Sequence, residues 1–343
     1  MIPQTLDSVE QLEDLLSEPT PGAIETCARL EGDVILLGVA GKMGPTLARM
    51  IRRASEAAGV NRRVIGVSRF SSGALEGRLQ ACGIETIRCD LLDEDQVAGL
   101  PDAPNVVYLP AMKFGATGNE SLTWAMNAHL PSIACKRFHD SRIVAFSTGN
   151  VYGLASIDGG GSVETDKPSP VGEYAMSCLG RERMFEHFSR TANIPVSIIR
   201  LNYACEPRYG VLVDIAQKVW HGEPVDVSMG FFNTIWQGDA NAMTIQSFDH
   251  AASPPWFVNI TGPERLSIRE TALQFGELMD REAKLTGAET DTALLSDSSQ
   301  ALRLFDKPRV PIDSLMKWIA DWIRRGGENL GKPTKFESRD GKF

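Results

Sequence analysis

No stretch of the chain approaches the roughly 18 to 20 consecutive apolar residues that a membrane-spanning helix requires, so a membrane span is not expected. Positive charge is scarce as well: 35 Lys and Arg stand against 44 Asp and Glu, giving a formal net charge of -9. Phosphate-rich polymers and acidic membrane surfaces select basic faces, so a nucleic-acid or membrane binder is excluded. The six cysteines, Cys27, Cys82, Cys89, Cys135, Cys178 and Cys205, form no close pairs. That spacing argues against a disulfide framework or a metal site and for reduced, buried thiols. Residues 1–20 carry Asp7, Glu10, Glu13, Asp14 and Glu18 and lack a basic start followed by an apolar core. A secretory signal is therefore not expected, and a cytoplasmic location is the default. Internal repeats and low-complexity tracts are also lacking.

What the sequence does contain is size and apolar content. Its 343 residues, 43% hydrophobic, can bury one large α/β unit or a core with an added lobe. The most informative stretch begins with the apolar run Val34, Ile35, Leu36 and Leu37, which suits a strand buried on both faces. Leu47, Met50 and Ile51 then recur at helical spacing. Between the two lie Gly38, Gly41 and Gly44, with Lys42 and Met43 in the same loop. Gly38 permits a tight turn, Gly41 lets backbone amides approach a pyrophosphate, and Gly44 lets the helix pack on the strand. A strand, glycine loop and helix in this order are the context of a dinucleotide-binding turn; the alternative is a plain structural turn.

Before this stretch, Ser8 caps a short acidic helix carrying Val9, Leu12, Leu15 and Leu16, which Pro19-Thr20-Pro21-Gly22 would end. Residues 1–31 form a helical extension outside the nucleotide unit. After it, strands are expected over 63–68, 85–90, 105–109, 142–146 and 196–201. Strands alternating with helical segments imply a right-handed parallel sheet. The expected fold is α/β: a Rossmann-type doubly wound parallel sheet over 32–202, with a later contribution near 233–262. A smaller α/β substrate lobe follows over 203–330, where Pro207, Pro224, Pro254, Pro255 and Pro263 loosen the pattern. Residues 312–323 carry an apolar helical face, and 331–343 read as a polar tail with no evident core contribution, either mobile or docked on a partner.

Such sheets bind ligands at the carboxyl ends of their strands, where Gly38, Ser68, Asp90, Pro110, Ser147 and Asn202 fall. Ser68 and Arg69 stand where an adenosine ribose is read. A serine and an arginine there suit a 2′-phosphate, which favours NADP over NAD, unless Arg69 only stacks on adenine or is solvated. Asp90-Leu91 is either an adenine contact or a turn. Thr148, ending the fifth strand beside Ser147, and Tyr174, near the start of a helix over 173–189, could converge on one carbonyl or alcohol. The lobe aromatics Tyr209, Trp220, Phe231, Phe232 and Trp236 offer stacking surface or core.

In order along the chain stand Gly38-x-x-Gly41-x-x-Gly44, Asp90-Leu91, Asn127 and Phe146-Ser147-Thr148-Gly149-Asn150-Val151-Tyr152-Gly153. Tyr174-Ala175-Met176-Ser177-Cys178-Leu179-Gly180-Arg181-Glu182 and Arg200-Leu201-Asn202 follow. Trp236-Gln237-Gly238-Asp239-Ala240, Asn259-Ile260-Thr261-Gly262 and Ser267-Ile268-Arg269-Glu270 continue the series. Over about residues 32–326 this pattern resembles the extended short-chain dehydrogenase/reductase superfamily, specifically its NAD-dependent epimerase/dehydratase family.

The resemblance implies a nicotinamide dinucleotide, a sugar-like or nucleotide-sugar substrate, Tyr174 as acid/base and Thr148 orienting the substrate. It also implies substrate contacts from Ser147, Asn150 and Asn202, and often a homodimer made by packing two helices from each subunit. One departure stands out. The family usually reads Tyr-x-x-x-Lys, and here the fourth residue after Tyr174 is Cys178. An ordinary tyrosine ionises near pH 10, so without a neighbouring cation little phenolate exists near neutrality. Arg181, seven residues after Tyr174 and nearly on the same helical face, could substitute; a surface or salt-bridged arginine is the expectation. Two functions remain open: an atypical NAD(P)-dependent oxidoreductase or epimerase, and a dinucleotide-binding sensor or scaffold with weakened chemistry. Because Thr148 is followed by Gly149-Asn150 rather than an acid, redox or epimerase chemistry is favoured over dehydration.

Overall fold

The structure, a computed structural model, describes residues 2–71, 73–113 and 115–342. Met1 of the helical extension and Phe343 of the tail lie outside the described residues. The strands β1 (Val34–Leu37), β2 (Val64–Ser68), β3 (Glu85–Arg88), β4 (Asn105–Tyr108), β5 (Arg142–Thr148), β6 (Val196–Leu201) and β7 (Trp256–Ile260) form one sheet. Their spatial order is β7-β6-β5-β4-β1-β2-β3, every pair parallel. This is a Rossmann-type α/β fold. The chain order reverses between β1 and β4, and the crevice outside that switch point is where such sheets take ligands.

The buried run of β1 explains its central place. Val34 and Leu36 enter the core on one face, Ile35 and Leu37 that on the other, and all four are fully buried. Burying each such side chain is worth about 1.5 to 3 kcal/mol, so a polar residue on either face would be costly. β5 ends at Thr148, where the sequence reading put the strand end: Ser147 and Thr148 pair with Arg200 and Leu201 of β6. One difference from the sequence reading bears on the site. The edge strand β7 was not expected as a strand, although it falls within the stretch 233–262. Pro254 and Pro255 precede it, and its Asn259 is fully buried, accepting a hydrogen bond from the Tyr152 hydroxyl at 2.7 Å.

Helix α1 (Val9–Leu16) starts where Ser8 accepts a hydrogen bond from the Gln11 amide, as expected. The Pro19–Gly22 stretch does more than end it: Thr20 caps a second helix, α2 (Pro21–Arg29), with Pro21 in its first turn, where the missing N–H is no loss. The nucleotide-loop helix is α3 (Gly44–Ala57), and α4 (Gly172–Ala192) backs β5. Beyond the sheet, α5 (Val211–His221), α6 (Gln237–Gln246), α7 (Ile268–Met279) and α8 (Ile312–Arg324) follow. Residues of α5, α7 and α8, including Ile215, Phe275 and Ile319, share one apolar core with Leu12 and Leu16 of α1.

The tail contradicts its polar reading. Phe336 is 1% exposed within the same core. Thr334 donates to Asp214 of α5 from both its amide, at 2.6 Å, and its hydroxyl, at 2.5 Å. Arg339 donates to the Thr292 carbonyl at 2.8 Å and the Thr292 hydroxyl at 2.6 Å. One buried aromatic and these bonds seat the segment on its own chain.

Candidate active site

Two adjoining cavities, of about 410 and 240 Å3, lie along the carboxyl ends of the strands and share Gly41, Leu109 and Ala111. Between them they bring together the residues expected to hold the cofactor and to act on the substrate; of the lobe aromatics, Tyr209 lines the smaller cavity, whereas Phe232 and Trp236 are buried in the core. Gly38, Ser68, Arg69, Asp90 and Leu91, expected at the adenosine end, line the larger cavity. Lys42, Met43, Gly44, Ser147, Thr148, Asn150, Tyr174 and Asn202 line the smaller.

The glycine loop has the geometry a pyrophosphate needs. Gly38 adopts φ +79°, a conformation that disfavours side chains, and a Cβ on Gly44 would overlap the Val39 carbonyl oxygen. Helix α3 begins at Met43 with no side-chain cap. Gly41, Lys42, Met43 and Gly44 line the smaller cavity, so the N-terminus of α3 borders it, an arrangement suited to anions. At the far end Arg69 is exposed, while the Asp90 carboxylate accepts the Leu92 amide at 3.1 Å and so also closes a turn.

The smaller cavity concentrates charge. Lys42, Lys113 and Arg181 line it, and no Asp or Glu does so among the described residues, in a chain of net charge -9. Lys42 Nζ donates to the Ala204 carbonyl at 2.6 Å and stands 3.9 Å over the Tyr209 ring. Burial pushes it down to about 8, with Glu206 opposing. Lys113 Nζ donates to the Thr334 carbonyl at 3.1 Å, lies 5.8 Å from the centre of the Tyr174 ring and is likewise lowered by burial to about 8. Sequence reasoning placed Lys42 only in the phosphate loop.

Tyr174 is buried, and that burial raises its phenol well above the ordinary value. Cys178 adds to the rise, while Arg181 and a hydrogen bond with Thr148 oppose it. The Cys178 thiol is fully buried and itself raised by burial, so it is a poor nucleophile. Arg181 departs from the surface or salt-bridged expectation: it is 2% exposed. Its Nη1 donates to the Phe146 carbonyl at 2.8 Å and its Nη2 to Asn127 Oδ1 at 2.7 Å.

Ser147 and Asn202 line the cavity with the Ser147 hydroxyl and the Asn202 Nδ2 already engaged. The Ser147 hydroxyl donates to Glu182 Oε1 at 2.5 Å, and Glu182 also holds Arg200 through both carboxylate oxygens at 3.0 and 2.8 Å. Asn202 Nδ2 donates to Asn233 Oδ1 at 2.7 Å. The Glu182–Arg200 pair, both members buried, ties α4 to β6 beside Ser147, the register partner of Arg200.

Comparison with known proteins places the chain. The profile of the NAD dependent epimerase/dehydratase family matches residues 34–225, more than half of the sequence. The protein belongs to this family of enzymes. No curated protein sequence gives a significant match. Among solved structures, MoeE5 in complex with UDP-glucuronic acid and NAD is 21% identical, with a TM-score of 0.71 over 86% of this chain and 100% of that one. The UDP-glucuronic acid 4-epimerase of Bacillus cereus, in complex with UDP-glucuronic acid and NAD, is 20% identical, with a TM-score of 0.72 over 85% and 99%. The dTDP-glucose 4,6-dehydratase DesIV of Streptomyces venezuelae, with NAD bound, is 17% identical, with a TM-score of 0.72 over 85% and 97%. At these identities the likeness is one of fold.

Proposed function

We propose that the protein is an NAD(P)-dependent oxidoreductase or epimerase that acts on a hydroxyl or carbonyl of a sugar-like substrate, most simply a nucleotide sugar. The observation that carries this reading is the pairing of Tyr174 with Thr148 in a cavity continuous with the glycine loop. A bound nicotinamide dinucleotide would supply the hydride acceptor and donor. Gly38, Gly41 and Gly44 would give its pyrophosphate room, and the first amides of α3 would bind it. Thr148 would orient the substrate oxygen, and Tyr174 would take or return its proton. Asn150 and Asn202 border the space left for the sugar. Family membership and three solved neighbours with NAD or nucleotide sugars bound support this reading. Those neighbours carry NAD, whereas exposed Arg69 at the adenosine end has the charge for the 2′-phosphate of NADP. The reading of a sensor with weakened chemistry rests on Cys178.

A homodimer is part of the proposal. Leu122, Trp124 and Met176 are 46, 37 and 45% exposed on the adjoining helices Glu120–Trp124 and α4. Trp124 Nε1 donates to Glu173 across those helices at 2.6 Å, which holds the two faces side by side. An apolar face on two packed helices is what a partner's matching helices would cover.

Single-turnover absorbance of the reduced nicotinamide tests the chemistry, with UDP-glucose and UDP-glucuronic acid as probes and NAD or NADP supplied. Native protein should reduce the cofactor, and Tyr174→Phe should be slower by roughly 10² to 10⁴. Equal rates in the two proteins would remove Tyr174 from its role.

A further inference from the structure

On α4, Tyr174, Cys178 and Arg181 stand at positions i, i+4 and i+7, which share one face of a helix. All three are buried, and Tyr174 and Arg181 both line the smaller cavity. The position one turn after Tyr174 has a thiol where a cation would be useful. Two turns after it lies a guanidinium whose hydrogen-bond acceptors are all neutral: the Phe146 carbonyl, Asn127 Oδ1 and, at 3.4 Å, the Asn127 carbonyl. The neighbouring carboxylate, Glu182, is bonded to Arg200 and Ser147 instead. Burial alone would disfavour this cation, and the groups that hold it charged are the nearby side chains Cys178, Tyr108, Tyr174 and Glu182, so its charge is coupled to Tyr174.

The support around Arg181 is fixed from several sides. Asn127 Oδ1 also accepts the Met112 amide at 2.9 Å, and its Nδ2 donates to the Met112 carbonyl and to Ser177 Oγ, both at 3.0 Å. The amide orientation follows from these bonds: only the oxygen can face both the Met112 N–H and the guanidinium. The acceptor is thereby locked between the loop after β4 and helix α4.

We infer that Arg181 is the permanent positive charge that serves Tyr174, in place of a lysine one turn after it, with Asn127 as the residue that positions its guanidinium. The inference rests on the reading of Tyr174 as acid/base. When a substrate hydroxyl is oxidised, its O–H proton would pass to the Tyr174 phenolate, while a bound dinucleotide would supply the hydride acceptor. Arg181 keeps all its protons throughout, since a guanidinium does not deprotonate in a protein. Its charge draws the phenol down against the burial that raises it. Lys113, the other cation near the Tyr174 ring, would lose its charge as pH rises through about 8, so the two residues differ in pH dependence.

The test reads Tyr174 directly. Protein labelled with 13C at tyrosine Cζ and saturated with NAD contains five tyrosines, and Tyr174→Phe identifies the resonance concerned. Arg181→Gln removes the charge while leaving an amide that can still donate to Phe146 or Asn127. The expected result is a rise in the Tyr174 ionisation midpoint of more than about one pH unit, reversed to within about half a unit when Cys178→Lys is added. A structural role for Arg181 would move neither midpoint. The inference is overturned if Arg181→Gln titrates like native protein. Should Arg181→Gln alone fail to fold, the double variant decides: a midpoint more than about one unit above native overturns the inference. Failure of the Tyr174 reading shows elsewhere, in undiminished turnover by Tyr174→Phe.

Discussion

The two ends of the cleft are built on different principles. At the adenosine end, Ser68 and Arg69 are partly or wholly exposed, and the Asp90 carboxylate serves a turn. At the other end, Tyr174, Cys178 and Arg181 have ionisations displaced by burial and by one another, and that of Lys42 is displaced by burial. Binding by backbone and shape costs little electrostatic energy, whereas burying ionisable groups costs much. Such a cost is normal where chemistry needs displaced proton affinities. On the proposed function, the difference separates holding a dinucleotide from using it.

The largest effect on the holding side should come from Gly44→Ala. Its methyl would meet the Val39 carbonyl, forcing the start of α3 away from β1. Overpacking of this kind costs about 1 to 3 kcal/mol. Because the N-terminus of α3 borders the cavity, cofactor affinity should fall more than tenfold, roughly the equivalent of 1.4 kcal/mol, as read by fluorescence titration. Retention of full affinity would show that the loop does not hold the pyrophosphate.

Asp214→Ala should come next. It releases both bonds from Thr334, and leaving two buried donors unpaired costs about 1 to 3 kcal/mol in urea unfolding. Hydrogen exchange at residues 334–339 should quicken, and the Lys113 ammonium should lose its fixed acceptor, the Thr334 carbonyl. Unchanged exchange would mean that Phe336 alone seats the tail.

How much of this was legible beforehand varied with the kind of signal. Runs such as Val34–Leu37, and the spacing of Gly38, Gly41 and Gly44, located the sheet and the loop because periodicity and turn chemistry are local. β7 was hidden by two preceding prolines and by Asn259, whose burial depends on Tyr152, 107 residues away in sequence. The tail was misread because a single Phe336 cannot announce a core it completes only in three dimensions. Arg181 was read as a surface or salt-bridged residue because arginines on helices usually are. Its burial depends on Asn127 and Phe146, which come from other elements.

Lys42 offers a smaller test with a pH signature. Its folded-state proton affinity is lowered to about 8, below the ordinary lysine value, by burial. Below pH 8 it is charged in both folded and unfolded chains, and the folded state bears the full cost of burying that charge. Between about 8 and 10.5 the unfolded chain binds more protons, so rising pH relieves the cost. The stability difference between Lys42→Met and native protein should therefore shift in favour of native over that window, in urea unfolding at stepped pH. A flat difference would mean that the ammonium is solvated.

Arg69→Ala should have the smallest effect, and a selective one. Being exposed, the side chain offers a screened contact worth about 1 kcal/mol, roughly fivefold, to a 2′-phosphate. NADPH should bind that much more weakly while NADH is unaffected. Equal losses for both would assign Arg69 to adenine stacking.

The claim that holding and using are separable is tested most directly by titrating NADH and NADPH into native protein and Tyr174→Phe and following nicotinamide fluorescence. The account predicts that at least one dinucleotide binds native protein and binds Tyr174→Phe with the same affinity, to within about threefold or 0.7 kcal/mol. Binding of neither dinucleotide to native protein, or loss of binding with the Tyr174 hydroxyl alone, would contradict it.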